Sequence, residues 1–122
     1  MDSQLHMLQG VAIAELTSSA TVLRSAQDVL DLLGSFYPQH VDGVIVHEAN
    51  LPPEFFQLQT RMAGDMLQKF VNYRVRIAIV GDFSKYTSKA LADFIRECNR
   101  GRHIFFAATP EEALEKLVHS AG

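Results

Sequence analysis

The chain reads as an α/β domain. The expected architecture is a mixed, mostly parallel sheet of about five strands with four helices, in the order ββαβαβαβα. Three observations predict it. The runs Gly43-Val44-Ile45-Val46 and Ile77-Ala78-Ile79-Val80 are apolar at every position, as in parallel strands covered on both faces. Each is followed by a polar turn and then by a stretch with helical spacing of apolar residues. Two apolar runs near the amino end, Leu5 to Leu8 and Val11 to Leu16, are split by Gln9-Gly10 and read as an antiparallel hairpin.

The remaining elements follow in order. Thr17 to Arg24 is a polar loop. Ser25 is placed as an N-cap with Asp28 three residues on, and Val29, Leu32, Leu33 and Phe36 form the buried stripe of the first helix. Pro38 ends that helix. After the strand at 43–46, Pro52-Pro53 precedes a long helix expected from about Pro53 to Tyr73, because Phe55, Leu58, Met62, Met66, Phe70 and Tyr73 recur every three or four residues. Ala63-Gly64 is expected to let this helix approach the sheet, at a cost of about 1 kcal/mol for the glycine. Val75 to Val80 is the next strand. Ser88 to Asn99 is a helix with Leu91, Phe94, Ile95 and Cys98 on one face, and Gly101 is expected to close it in a left-handed cap. Ile104 to Ala108 is the last strand. Thr109-Pro110-Glu111-Glu112 opens the last helix with an N-cap, a first-turn proline and a glutamate at the third position.

Composition bounds the function. The 122 residues suit a single domain spanning 1–122, and nearly half of them are apolar. The net charge of −3 and the scattered basic residues do not form the footprint of a nucleic-acid binder. One cysteine, Cys98, allows no internal disulfide and fits a reducing cytoplasm. Its place on an apolar helix face reads as a buried structural thiol. No apolar run is long enough to span a membrane, and the first residues lack the pattern of a signal peptide. The expected location is therefore cytoplasmic. His6, His40, His47, His103 and His119 fall in no metal-ligand spacing, and no cofactor is expected.

Several runs resemble a known family. Phe55-Phe56, Leu58, Thr60, Ala63-Gly64 and the stretch Leu67 to Tyr73 carry the likeness. Ile77 to Ser84, Tyr86 to Lys89, Asp93-Phe94-Ile95, Glu97-Cys98-Asn99, Gly101 and Phe105-Phe106 continue it. The chain from about Asp28 onward resembles an uncharacterised bacterial family, domain of unknown function 4180, a resemblance that implies no activity. The element order also resembles STAS domains, the fold of anti-sigma-factor antagonists. Switching members of that group carry an Asp-Ser-(Ser/Ala)-Gly loop after the third strand, with the serine phosphorylated. Here His47-Glu48-Ala49-Asn50-Leu51-Pro52 stands in that place, without a serine. The resemblance thus implies an interaction module lacking the phosphoserine loop.

In open α/β sheets, ligands and partners gather at the carboxyl ends of the strands. That rim is expected to hold His47, Glu48, Asn50 and Phe56 from one connection and Asp82, Ser84, Lys85 and Ser88 from the next. Three readings compete there. The eight residues form a contact edge for another protein, such as a signalling or transcription regulator. Alternatively the Ser84–Ser88 turn binds a phosphate or carboxylate at a helix start, assisted by Lys85, as a sensor or an enzyme. A Ser–His–Asp set from Ser84, His47 and Asp82 is the third, without a nucleophile-elbow motif to support it. Phe56, adjacent to Phe55, is either an exposed contact or a second packing layer. A homodimer through apposed sheets or helices is compatible with all three.

Overall fold

A computed structural model describes residues 2–121. The amino-terminal hairpin pairs β1 (Ser3–Leu8) antiparallel with β2 (Val11–Leu16) over six residue pairs. Gln9 (φ 52°) and Gly10 (φ 79°) make the turn with both residues left-handed, the twist that a two-residue hairpin requires. The parallel strands β3 (Gly43–His47), β4 (Arg76–Val80) and β5 (Ile104–Ala107) follow in sequential order, so the sheet runs β1-β2-β3-β4-β5. Four α-helices stand in the described residues: α1 (Ala26–Ser35), α2 (Met62–Asn72), α3 (Lys89–Arg100) and α4 (Pro110–Ser120). The expected fold class is the one observed.

Strand periodicity divides the core in two. Ala14, Val44, Val46, Ile77, Ile79 and Phe106 face α1, α2 and α3, where Val29, Leu32, Met66, Phe70 and Leu91 cover them. Ile13, Ile45, Ala78, Val80 and Phe105 face the other way, against Ala113 and Leu117 of α4. Gly43 allows α4 to come close: a Cβ there would lie 3.4 Å from both Leu117 methyl carbons. Among the described residues no helix is long and apolar enough to cross a membrane.

Three local expectations are corrected. The long helix from Pro53 does not form. Residues Glu48–Asn50, Pro53–Phe56 and Leu58–Thr60 are 3₁₀ turns, and α2 begins only at Met62. Thr60 Oγ1 donates to the Glu54 and Gln57 carbonyls, 2.8 Å from each, and Arg61 turns left-handed (φ 63°), which breaks the ladder. The apolar spacing looked continuous because a 3₁₀ turn repeats every three residues. Gly64 is exposed, and a Cβ there would meet nothing within 4 Å, so Ala63 alone provides the close helix face. Gly101 is extended (φ −87°, ψ −161°) rather than left-handed, with its N–H on the Cys98 carbonyl. The left-handed cap occurs instead after α2, at Arg74 (φ 58°). There the Arg74 and Val75 N–H groups bond the Val71 and Phe70 carbonyls in the two-bond Schellman arrangement.

Candidate functional site

Parallel pairing of His47 with Val80 brings the ends of β3 and β4 together. Residues 48–50 and 81–88 therefore leave the sheet on one rim, as expected from the strand order. Glu48 is the junction between them. Its side chain lies over Gly81, where a Cβ would come within 2.7 Å of Glu48 Oε1 and 2.8 Å of Glu48 Cβ. The glycine is thus required by close approach. Glu48 Oε2 accepts a short hydrogen bond from the Tyr86 hydroxyl and lies 2.7 Å from Lys85 Nζ. Lys85 also sits 5.5 Å from the Tyr86 ring centre, in cation–π range. Burial, and then the Glu48 hydrogen bond and charge, push the Tyr86 phenol well above its ordinary value.

Beneath this loop lies a layer of rings. Tyr86 stacks on Phe56 at 5.0 Å, Phe56 meets Phe55 edge-on at 5.0 Å, and Phe83 meets Phe106 edge-on at 5.1 Å. Phe55 and Phe56 are both buried. The expectation that Phe56 is a contact residue is corrected: a 3₁₀ turn points it into the base of the 81–88 loop.

Asn50 is corrected in the same way. It is fully buried, and its amide makes three bonds. Oδ1 accepts the His47 N–H at 2.8 Å, and Nδ2 donates to the Ser18 and Ala20 carbonyls at 2.8 and 3.0 Å. Its own carbonyl accepts the Val22 and Leu23 N–H groups. Asn50 is a clamp that fastens the 17–24 loop to the end of β3. No part of its side chain remains for a partner.

The other expected residues divide between the two faces of the rim. His47 Nε2 is 3.0 Å from Glu15 Oε2, and His6 Nε2 is 3.0 Å from Glu15 Oε1, so one carboxylate joins two imidazoles on the α4 side of the sheet. Asp82 Oδ1 accepts both the Ser84 N–H (3.1 Å) and the Ser84 hydroxyl (2.6 Å). Those bonds hold the exposed Asp82 carboxyl below its usual range. Ser88 Oγ accepts the Leu91 N–H at 3.2 Å and caps α3. Ser84, His47 and Asp82 therefore form no relay, since His47 bonds Glu15 while Ser84 bonds Asp82. Among the described residues no group is arranged to hold a metal ion. Two open hollows flank Ala49. One of about 420 Å³ is bounded by Glu15, Thr17, Ser18, Ser19 and His47. The other, about 350 Å³, is bounded by Glu48, Leu51, Pro53, Lys85 and Tyr86.

The family model described as Domain of unknown function (DUF4180) matches residues 8–117. The chain belongs to that family. No curated protein and no solved structure matches it. The match spans Glu15, Glu48, Asn50 and Tyr86 and stops short of His6.

Glu15, His6 and Tyr86 are the site residues that motif reading passed over. Glu15 did carry a signal. It shares strand parity with Val11 and Ile13, so a charge stands at an inward position of a strand that is otherwise buried. Tyr86 carried none, because its bond to Glu48 crosses 38 residues.

Proposed function

We propose that the protein is a regulatory protein-interaction module that works without catalysis, with the carboxyl rim as its contact surface and the cytoplasm as its location. The observation that carries this reading is the Glu48–Tyr86–Lys85 cluster. It fastens the largely exposed 82–88 loop to an aromatic base. A rigid, exposed loop binds a partner at low ordering cost. The hydroxyls around it are already engaged, Ser84 donating to the Asp82 carboxylate and Ser88 accepting the Leu91 backbone N–H. That suits a preformed surface better than a reacting centre. The element order resembles that of STAS antagonists, and the buried Asn50 clamp lies in the loop where their switching members carry a phosphoserine. By this analogy the partner is another protein of a signalling or transcription pathway.

The anion reading draws less support. Lys85 is neutralised by Glu48, and the Leu91 N–H at the start of α3 is taken by Ser88. A thermal-shift panel of nucleotides and acidic metabolites tests it, since a ligand at 100 times its dissociation constant stabilises the native state by about 2.7 kcal/mol.

The interaction reading is tested with the full chain as bait, carrying a photo-crosslinking residue at exposed Ala49 or Thr87. One stoichiometric partner is expected, and Ala49→Arg should abolish its capture without lowering the melting temperature. Capture that is indifferent to Ala49→Arg and Thr87→Arg would refute the rim as the contact surface.

A further inference from the structure

A second surface, remote from the 82–88 loop, asks for a partner of its own. Among the described residues strand β1 pairs on one side only, with β2, so its outer edge presents backbone donors and acceptors without a strand partner. Edge strands of monomers are ordinarily blunted by lysine, proline, a bulge or shortness. Here Ser3–Leu8 contains no charged acid or base other than His6 and no proline. Its register with β2 is unbroken, and at six residues it equals the longest strand of the sheet. Leu5, Met7 and Leu8 are 41%, 62% and 40% exposed.

We propose that this edge is the interface with a second copy of the chain, joined by antiparallel β1–β1 pairing into one continuous sheet. The pattern of the strand selects that occupant. Leu5 and Met7 flank His6 symmetrically, on the face where their β2 partners are Ala14 and Ala12. A two-fold axis through His6, perpendicular to the sheet, sets Leu5 of each copy against Met7 of the other. Both exposed apolar side chains then find an apolar cross-strand neighbour. On the opposite face the two His6 rings meet, each already bonded to its own Glu15 carboxylate. Gln4 then lies beside Leu8 of the other copy. The edge presents no unmatched charge, so it needs no oppositely charged partner. A two-fold self-pairing is the isologous contact expected of a homodimer.

The test is sedimentation of the full chain with and without Met7→Lys, at one protein concentration. The native chain should sediment as a dimer. Met7→Lys should sediment as a monomer with an unchanged melting profile, because the substituted side chain projects into solvent in the single chain. For the register, His6→Cys in a Cys98→Ser background should give a disulfide-linked dimer under mild oxidation, and Ser3→Cys should not. A native chain that stays monomeric overturns the proposal, and so does a dimer that survives Met7→Lys. Cross-linking through Ser3→Cys in preference to His6→Cys overturns the register. The sedimentation arm is independent of the rim, because Met7→Lys leaves Ala49 and Thr87 untouched; His6→Cys, which gives up the bond to the Glu15 carboxylate shared with His47, reads the register alone.

Discussion

Replacing Asn50 by alanine should destabilise the fold more than any other single change of one polar rim side chain. The amide is fully buried, and three backbone groups depend on it: the His47 N–H and the Ser18 and Ala20 carbonyls. A buried backbone group left without a partner costs about 1–3 kcal/mol. Ser18 is only part-buried and Ala20 is exposed, so their carbonyls recover water in part, whereas the His47 N–H closes a turn at the end of β3. The expected loss is roughly 3 kcal/mol, a large fraction of the 5–15 kcal/mol typical of a domain. With a urea m-value of about 1.5–2 kcal/mol/M, the denaturation midpoint should fall by about 1.5–2 M at constant m. Asn50→Asp sharpens the test. It keeps the acceptor for His47 but turns a carboxylate oxygen toward two carbonyls, so its folded pKa rises above the unfolded value. Native protein then holds the proton longer, and stability should decline as pH climbs from about 4 upward. An Asn50→Ala midpoint within about 0.5 M of the native one, or an Asn50→Asp variant that gains stability with pH, would refute the clamp.

Five further outcomes follow from the same structure. Gly81→Ala should cost about 1–3 kcal/mol, read by thermal or urea melting, because the new methyl collides with Glu48 near its backbone. Gly64→Ala should stabilise by roughly 0.5–1 kcal/mol, since the site is an open helix position, and Arg74→Gly should stabilise similarly by relieving a left-handed residue. Burial raises the pKa of Asp42. Its bonds from the Ala12 N–H and from His40, and then the charges of His40 and Arg76, outweigh that, so the net value is lowered. The contribution of Asp42 is therefore present above the unfolded value near 3.9 and is lost as pH falls through the lower folded value. In acid titrations of stability, Asp42→Asn should flatten that limb. Cys98 is pushed up to about 11 by burial and then by Glu97, so it should alkylate roughly a hundredfold more slowly at pH 8 than an exposed thiol.

How far the fold was legible depended on whether the deciding interactions were local. Strands β3 and β4 announced themselves because both faces are covered, and covering both faces leaves an unbroken apolar run. The caps at Ser25, Ser88 and Thr109 were readable because each bonds an N–H three residues on. The start of α2 was not readable. Period alone cannot separate 3₁₀ turns from an α-helix, and what decided the matter was Thr60 bonding back to Glu54, six residues away. The rim shows the same division. Strand order placed residues 47–50 and 82–88 side by side, yet it could not say which of them face solvent. Asn50 and Phe56 are drawn inside by partners 30 residues or more distant, Ala20 and Ser18 for the amide and Tyr86 for the ring.

That division also shapes the functional surface. The buried Asn50 and Phe56, with the half-buried Gly81, form an inner set that fixes the geometry of the rim, and the exposed residues, Asp82, Ser84, Lys85 and Ser88, are carried on it. A contact surface built this way separates stability from specificity. Substituting the interior set should lower the melting temperature and weaken partner capture together. Substituting exposed positions that cap nothing, such as Ala49 and Thr87, should alter capture alone. Glu48 joins the two sets, because its single carboxylate both anchors Tyr86 and restrains Lys85. Glu48→Gln retains an acceptor for the phenol and gives up the charge. It should therefore free Lys85 while leaving the 82–88 loop on its aromatic base, changing the electrostatics of the rim without unfolding it.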